Sequence, residues 1–494
     1  MPEFHVEHFG CRAARADGEA VGGRLRAAGL GQANPADADV VVVNTCSVTA
    51  EADRAARAFI RRTHRLNPQA RIVVTGCYAQ RAPRELAAMA GVAAVVGNSH
   101  KALAPEIVLN LAGFRSRTEI AEGLSSAAQP DLVSLQSLLH RGAPSGPAHR
   151  VPPLPGFPAA PIWADDRFAH SFIEEAQLVP GEQTRPNLKI QEGCGNRCTF
   201  CVIPQTRGSS KSLPPAGVLR QVEGFVAAGG NELVLSGINL GRWGRDLPAS
   251  ESGSRPTLAG LVRQIFRATE LPRLRLSSIE PMDWDADLIA LMAEFGGTRL
   301  ARHAHLPLQS GSDAVLRRMH RRYRPWHYAE KVEALKQAAG PELTLGADVM
   351  VGFPGESDAE FEETLEMARA LPFGYLHLFP FSPRPGTPGW ALHAERPVAR
   401  QAVEERMAAL RSLAMEKSRT HRMRFVGRKL EAITLHTPSA QAERDRTAAL
   451  TENFLPLEID RRLAANRLLR VRITGLGAEG ILAGVLPGAP EAAG

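Results

Sequence analysis

The chain has 494 residues and a formal net charge of +7, with 44% hydrophobic and 22% charged residues, which is ordinary for a globular protein. Its first residues show no basic segment followed by an apolar run, and no stretch approaches the roughly 18 apolar residues that span a bilayer. We therefore expect about three domains in the cytoplasm, without a secretory signal or membrane partner. The positive balance fits a polyanionic partner such as RNA, although an Arg-rich composition alone produces the same balance.

Residues 1–113 alternate short apolar segments with amphipathic ones. We predict strands at FHVEHF, DVVVVNT and RIVVTG, and helices at GEAVGGRLRAAGL, DRAARAFIRRTHRL and APRELAAMA. This alternation is typical of a parallel βαβ sheet. Residues 114–184 are rich in Pro, Ser and Gly and have no sustained period, so we interpret them as an extended linker.

Residues 185–424 predict a partial barrel of six β/α units followed by a charged helix. The expected strands are NLKIQ, ELVLSG, RLRLSSI, HAHLPLQ, LTLGADVMVGF and GYLHLFPF. In residues 425–488 the spacing of hydrophobic residues changes, and strands are expected at LEAITLH, LLRVRIT and GILAGVL. This pattern predicts a small antiparallel β-barrel. The fold class is therefore α/β: a parallel N-terminal βαβ domain, a central partial (β/α)6 barrel and a small C-terminal barrel.

Three of the six cysteines lie in one loop directly after the strand NLKIQ. Cys194, Cys198 and Cys201 have the spacing C-x3-C-x2-C. Thiolates are the usual ligands of a 4Fe–4S cluster, and three of them leave one iron open for a substrate. The amino and carboxylate groups of S-adenosylmethionine are the natural occupants of that iron. The alternatives are a zinc site, for which the loop offers no fourth ligand, and three unrelated buried thiols.

The other three cysteines each follow a predicted N-terminal strand. Cys11, Cys46 and Cys77 are 35 and 31 residues apart, about one β–α unit. Because parallel strands end at one edge of a sheet, the three thiols are expected to converge and to hold a second cluster with an open iron. The alternative is that they are small buried hydrophobic residues.

Two further features carry less weight in the sequence. His303 and His305 share one face of a predicted strand, and we favour a buried role in the barrel over metal binding. In the C-terminal part, Arg428, Lys429, Arg467, Arg470 and Arg472 are candidate phosphate contacts. Phe454 is an isolated aromatic residue there, so base stacking is weakly indicated.

Several segments resemble the methylthiotransferase family of radical S-adenosylmethionine enzymes. They are HFGCRAARADGE, VVNTCSVTAEADR, TGCYAQR, GCGNRCTFCVIPQTRG, ELVLSGINLGRWG, LRLSSIEP, HLPLQSGSDAVLRRMHRRY and DVMVGFPGESDAEFEET. The resemblance covers nearly the whole chain except residues 114–184. It implies an N-terminal auxiliary-cluster domain (1–113), a linker (114–184), a radical S-adenosylmethionine core with a trailing helix (185–424) and a TRAM RNA-binding barrel (425–488).

The resemblance also implies site residues. Cys194, Cys198 and Cys201 match the radical cluster ligands, and Cys11, Cys46 and Cys77 match the auxiliary cluster ligands. Phe200, Ser236, Gly237, Glu280, Gln309 and Asp348 are candidate contacts of S-adenosylmethionine. One departure is Ala14, where the family usually has Asn; this places a polar contact near the auxiliary cluster in doubt.

Within the family, NTCSVTAEADR and EGCGNRCTFCVIPQTRG are most similar to the branch that adds a methylthio group to C2 of N6-threonylcarbamoyladenosine at position 37 of tRNA. The implied cofactors are two 4Fe–4S clusters and S-adenosylmethionine, and the implied partners are tRNA and a reducing electron donor that the sequence does not identify. One S-adenosylmethionine would methylate a sulfur on the auxiliary cluster, and another would be cleaved at the radical cluster. We expect a monomer.

Three other functions remain open at this point. The isopentenyladenosine tRNA branch and the branch that modifies an aspartate of a ribosomal protein use the same chemistry. A non-catalytic iron–sulfur sensor that binds RNA belongs to a different class, and the intact C-x3-C-x2-C loop argues against it.

Overall fold

The computed structural model describes residues 1–10, 12–113, 160–168, 173, 178, 185–249, 251, 253–477 and 480–486. The chain divides into two compact units, one of residues 1–47 and 51–171, the other of residues 48–50 and 172–494. Cys11 and most of the predicted linker lie outside the described residues. Among the helices of the described ranges, none is long and apolar enough to cross a membrane.

The N-terminal unit is built on a six-stranded parallel sheet with the order β2–β1–β3–β4–β5–β6. Its strands are β1 (Glu3–His8), β2 (Gly31–Gln32), β3 (Val40–Thr45), β4 (Arg71–Gly76), β5 (Val92–Gly97) and β6 (Ile162–Trp163). Its helices are α1 (Arg12–Ala27), α2 (Ala50–Leu66), α3 (Cys77–Arg81), α4 (Pro83–Ala87) and α5 (Ala104–Leu111). All six residues of β3 are buried, as expected of a strand covered on both faces.

Three strands of this sheet were not predicted: the two-residue β2, and β5 and β6. β5 was not predicted as a strand, although its VAAVVG sequence is a short apolar run. β6 lies inside the stretch predicted as linker, yet it pairs with β5 and has the buried Ala160 beside it. β5 and β6 are short, and they form strands because a neighbouring strand supplies their hydrogen-bond partners. The amino-acid composition of a segment does not show which strand will lie beside it.

The second unit begins with the predicted partial barrel. Its six parallel strands are β7 (Asn187–Glu192), β9 (Glu232–Gly237), β10 (Arg273–Leu276), β11 (His303–His305), β12 (Thr344–Val351) and β13 (Phe373–Pro380). They form two sheets, β10–β9–β7 and β11–β12–β13, and a parallel bridge between Leu274 and Leu300 links the two. A short antiparallel strand, β8 (Lys211–Ser212), lies beside β7. The structure thus confirms the predicted α/β class.

Helices between the strands cover the barrel, and one large apolar core of Leu, Ile, Val and aromatic side chains lies between the two layers. The helices are α6 (Ile203–Arg207), α7 (Pro215–Ala227), α8 (Leu258–Ala268), α9 (Ala286–Phe295), α10 (Asp313–Arg318), α11 (Pro325–Ala339), α12 (Asp358–Ala370), α13 (Pro388–Glu395) and α14 (Arg400–Met423). The capping box of α12 is present: Ser357 Oγ accepts from Glu360 N at 3.3 Å, and Glu360 Oε2 accepts from Ser357 N at 2.9 Å.

The C-terminal part is a closed five-stranded barrel with the order β14–β15–β16–β18–β17. Its strands are β14 (Lys429–Thr434), β15 (Thr447–Thr451), β16 (Pro456–Ile459), β17 (Leu468–Leu476) and β18 (Leu482–Val485), with the short helix α15 (Ser439–Ala442). β15 and β16 were not predicted. The pair β16–β18 is parallel, so the barrel is not wholly antiparallel as expected. A closed ring of five strands requires one such pair if the other four are antiparallel.

The C-terminal barrel is joined to the partial barrel by ion pairs and hydrogen bonds between buried groups. Arg275 is fully buried, and it donates to Glu232 Oε1 at 3.1 Å and to the Thr451 carbonyl at 3.3 Å. Arg302 donates to Glu452 Oε1 at 2.8 Å. Removing the C-terminal barrel would deprive Arg275 of its hydrogen bond to Thr451 and Arg302 of its ion pair with Glu452, which is costly for buried or half-buried charges.

Candidate active site

The loop after β7 carries the three central cysteines, and its entrance requires glycine. Gly193 has φ +68°, and a Cβ on it would lie 2.0 Å from the Ser209 carbonyl oxygen. The Cys194 amide donates to the Gly208 carbonyl at 3.1 Å, and the Cys201 amide donates to the Cys198 carbonyl at 3.1 Å. The loop is therefore held at both ends, and its cysteines are placed at the carboxyl end of the first barrel strand, where barrel active sites form.

Polar groups from distant parts of the unit approach the cysteine sulfurs. The Asn196 amide lies 3.4 Å from Cys194 Sγ, and Asn239 Nδ2 lies 3.6 Å from the same sulfur. Arg321 Nη1 lies 3.4 Å from Cys198 Sγ. Such contacts to ligand sulfurs stabilise a thiolate and tune the reduction potential of a cluster.

Arg321 is oriented by its other neighbours. Its Nη2 pairs with Glu280 Oε2, its Nε donates to Tyr323 Oη at 3.3 Å, and its residue exposure is 6%. The sequence proposed Glu280 as a cofactor contact but assigned no role to Arg321 or Asn239. The available signal was the segment MHRRY, whose first Arg, Arg321, becomes meaningful only when the fold brings it to Cys198.

The thiols themselves fit a metal that replaces their protons. Burial raises the pKa of Cys201 to about 12. Burial also raises the pKa of Cys198, and the positive charge of Arg321 opposes that shift. Without a metal these two thiols are protonated at neutral pH, so a cluster would displace their protons on binding.

Unpartnered buried polar atoms mark space for a polar cofactor. Within the described ranges, Ser236 Oγ, Asn239 Oδ1 and Gln309 Oε1 are buried without a hydrogen-bond partner. Gln309 also has φ +60°, a strained conformation for a residue other than glycine. Gly237 lets β9 approach β7, because a Cβ there would lie 2.8 Å from Gln191 Cβ. These groups suit the amino acid and ribose portions of S-adenosylmethionine.

The other two candidate cofactor contacts differ in their surroundings. Phe200 lies inside the cysteine loop, half-buried against the main core. Asp348 lies on β12 and contacts His305 and His377, and no contact joins it to the cysteine loop among the described residues. The structure therefore groups Asp348 with histidines.

In the N-terminal unit, strand register brings two of the three cysteines to one edge. Thr45 pairs with Gly76 across β3 and β4, so Cys46 and Cys77 follow at equivalent positions. Both are buried. Asn98 Nδ2 lies 3.4 Å from Cys77 Sγ, and a Cβ on Gly10 would lie 2.6 Å from Cys46 Sγ. The position expected for Asn is filled by Ala14, whose carbonyl accepts a hydrogen bond from Asn44.

Most of the candidate phosphate contacts in the C-terminal barrel are exposed, and Arg428 is also paired within the protein. Lys429, Arg467 and Arg470 are exposed. Arg428 donates to Glu342 Oε1 at 3.2 Å. The ring of Phe454 lies 4.3 Å from that of His303 and 5.3 Å from the Arg275 guanidinium, so it fastens the barrel to the core and is not available to stack on a base.

A partial (β/α)6 barrel with a C-x3-C-x2-C loop after its first strand defines a radical S-adenosylmethionine enzyme. Residues 188–368 match the model of the Radical SAM superfamily, and residues 3–97 match that of the Uncharacterized protein family UPF0004. The solved structure of the radical S-adenosylmethionine methyltransferase TsrM from Kitasatospora setae is similar, with a TM-score of 0.50 and 15% identity over 80% of this chain and 78% of that chain. This likeness concerns the fold alone.

Relatives in sequence give a narrower assignment. The "Threonylcarbamoyladenosine tRNA methylthiotransferase MtaB" of Rickettsia prowazekii (strain Madrid E) is 31% identical, over 95% of this chain and 94% of its own length. The protein of the same name from Bacillus subtilis (strain 168) is 32% identical, over 92% of this chain and 88% of its own length. The chain belongs to the threonylcarbamoyladenosine tRNA methylthiotransferase family.

Proposed function

We propose that this enzyme adds a methylthio group to C2 of N6-threonylcarbamoyladenosine at position 37 of tRNA. The observation that carries the proposal is the similarity to threonylcarbamoyladenosine tRNA methylthiotransferases over 95% of the chain. The structure supports the chemistry through the three half-buried thiols at the mouth of the partial barrel. A tRNA substrate would place the reaction in the cytoplasm.

The central loop would hold the radical cluster through Cys194, Cys198 and Cys201. When bound, a reduced cluster with S-adenosylmethionine supplies a 5′-deoxyadenosyl radical, which the reaction needs because C2 of adenine is an unactivated sp² carbon. Arg321 and Asn239 would stabilise the ligand sulfurs through the contacts described above. The buried surroundings of Cys201 would keep water from the reacting groups.

Five residues near this loop are proposed contacts of S-adenosylmethionine. Phe200 would pack against it from within the loop, and Glu280 lies next to the loop through its pair with Arg321. Ser236 and Gln309 carry buried oxygen atoms without partners, which a polar ligand would satisfy. Gly237 leaves room at the strand end.

The N-terminal cysteines would hold the auxiliary cluster. Cys46 and Cys77 stand at neighbouring strand ends, and Cys11 follows β1, the strand on the other side of β3. The three thiols would hold the cluster from one sheet edge, and a cluster with three protein ligands would supply an open iron for the sulfur that is transferred. The total would be two 4Fe–4S clusters per chain.

Residues 425–488 are proposed as the RNA-binding TRAM domain. The exposed Lys429, Arg467 and Arg470 would contact phosphates, which requires no specific base recognition. A reducing electron donor must supply the electrons for the radical cluster. We propose that the chain acts as a monomer.

Nucleoside mass spectrometry on tRNA from cells with and without the protein tests this function. We expect loss of 2-methylthio-N6-threonylcarbamoyladenosine and accumulation of its precursor. Loss of the methylthio isopentenyl derivative would move the enzyme to the other tRNA branch. Unchanged tRNA, with a change in a ribosomal protein or in neither, would contradict the proposal.

A further inference from the structure

Three adjacent strands of the partial barrel place a metal-ligand set at one point. His305 on β11, Asp348 on β12 and His377 on β13 each offer one ligand atom, and these atoms all lie within 4.8 Å of one another. His305 is buried, Asp348 has intermediate exposure, and the His377 side chain is 60% exposed. The group contains no cysteine, so it is separate from both proposed cluster sites.

The two imidazoles converge on the same carboxylate oxygen. His305 Nε2 lies 3.1 Å from Asp348 Oδ1, and His377 Nδ1 lies 3.3 Å from the same oxygen. Tetrahedral ligands at the usual zinc–nitrogen and zinc–oxygen bond lengths stand about 3.3–3.5 Å apart. The observed separations are close to these values, so an ion would enter with only a small outward movement of the side chains.

A neighbouring hydroxyl group orients the His305 ring, as is usual for an imidazole that binds a metal. Its Nδ1 lies 3.0 Å from Tyr375 Oη, and the same hydroxyl lies 2.7 Å from His303 Nε2. This contact fixes the ring and leaves Nε2 directed at Asp348, which is how neighbouring groups orient a ligating imidazole. Although Nε2 is close to Asp348, it is a buried nitrogen without a hydrogen bond of acceptable geometry among the described residues.

The charge of the group also suits a cation. When they bind a metal, a carboxylate is ionised and an imidazole is neutral, so this set of ligands would present one negative charge to the cation. Two imidazoles and a carboxylate are a common donor set for divalent transition metals.

We propose that His305, Asp348 and His377 form a binding site for one divalent transition-metal ion of the zinc type. The exposed side of His377 leaves a coordination position open to water or to an oxygen atom of a ligand. The competing interpretation is a hydrogen-bonded His–Asp–His network that holds no metal. The site does not depend on the proposed methylthiotransferase function.

Metal analysis of the full-length, anaerobically reconstituted holoenzyme tests the site. The protein is incubated with zinc chloride and desalted, and zinc and iron are counted by mass spectrometry. We expect one zinc per chain in addition to unchanged cluster iron. Counting iron in each sample shows whether zinc has entered an empty cysteine site.

Variants make the assignment specific. His377→Gln alters an exposed side chain and should fold normally, and Asp348→Asn removes the shared oxygen's charge; each should weaken zinc binding at least about tenfold while iron is retained. His436→Gln, an exposed residue of the C-terminal barrel, is the matched control and should bind zinc as the parent does. Absence of stoichiometric zinc in the parent, or equal zinc in His377→Gln and the parent, would overturn the proposal.

Discussion

The two cysteine groups that are proposed to hold clusters are assembled in different ways. The central group lies within one loop of eight residues, 194–201, and backbone hydrogen bonds of that loop hold it. The N-terminal group extends over 67 residues, 11–77, and the register of parallel strands brings Cys46 and Cys77 together. A local loop keeps its geometry when other parts of the fold change, whereas a site built on strand ends depends on the whole sheet.

The groups that contact the sulfurs also differ. Cys198 lies beside the guanidinium of Arg321, and Cys77 lies beside the neutral amide of Asn98. A positive charge stabilises the additional negative charge that a cluster gains on reduction. We therefore expect the reduction potential of the central cluster to favour its reduction by the electron donor. We expect the N-terminal cluster to have a different role.

The largest expected effect separates the two sites directly. Cys198→Ala should abolish both methylthiolation and reductive cleavage of S-adenosylmethionine, because the open iron is lost. About half of the iron should remain, in the N-terminal cluster. Iron analysis, product analysis and 5′-deoxyadenosine measurement on the same sample check this. A variant that still methylthiolates tRNA would contradict the proposed mechanism.

The matching change in the other group should have a narrower effect. Cys77→Ala should abolish methylthiolation, yet cleavage of S-adenosylmethionine to 5′-deoxyadenosine should stay within about twofold of the parent, because the central cluster is intact. Chromatographic measurement of 5′-deoxyadenosine under reducing conditions checks this. If cleavage is lost as well, the two sites are not independent.

The difference in charge can be tested at Arg321. Arg321→Gln removes the cation beside Cys198 and should reduce activity about 10–100-fold, the usual range for a partner of a metal ligand. The reduction potential of the central cluster should become more negative, measured by a redox titration followed by electron paramagnetic resonance. Arg321→Lys should retain part of the parent's potential.

A neighbouring arginine provides the control for that experiment. Arg322 donates to Asp283 Oδ1 at 3.1 Å, and no contact with a cysteine is found for it among the described residues. Arg322→Gln should therefore leave the potential unchanged. An equal shift in both variants would show that Arg321 does not act through its contact with Cys198.

A smaller effect is expected for tRNA binding. The double variant Arg467→Glu, Arg470→Glu should weaken binding and reduce the slope of log affinity against log salt by about 2, if each residue contacts one phosphate. Arg411→Glu, an exposed residue of α14, is the control. Filter binding of tRNA at several salt concentrations measures the slope for the parent and for each variant. Equal slopes for the parent and the double variant would show that Arg467 and Arg470 do not contact the tRNA.

The smallest expected effect is on the pH dependence of the free energy of unfolding, and one histidine in each of the two units contributes to it. Burial lowers the pKa of His421 to about 4, and burial likewise lowers that of His8 to about 4. Because the unfolded histidine binds a proton below its usual pKa of about 6.5 and the folded one does not, stability should fall as pH decreases from about 6.5 to about 4.

At pH 5 each histidine should cost up to about 2 kcal/mol relative to pH 7, given these values. His421→Gln, the change in the second unit, should flatten that unit's pH dependence, and urea denaturation at the two pH values measures it. An unchanged difference between pH 7 and pH 5 would show that His421 is protonated in the folded protein.

Much of the fold could be predicted because its strands are marked locally. RIVVTG became β4 residue for residue, since a run of β-branched residues bounded by Gly is sufficient. The strands that were missed, such as β15 (TAALT) and β16 (PLEI), have weak propensity and are defined by their partners in the closed barrel. Phe454 shows the same limit, because its packing on His303 depends on a contact across 151 positions of sequence.

The sequence by itself determined the class of protein. The spacing of Cys194, Cys198 and Cys201 after a strand is a local feature, and a loop of eight residues can bring its own thiols together. The tertiary structure decided which distant side chains act on those thiols and which form groups of their own. Arg321 reaches Cys198 over 123 positions, and Asp348 joins His305 and His377 across three strands. Such contacts follow from strand register and barrel closure, which depend on the packing of the whole chain.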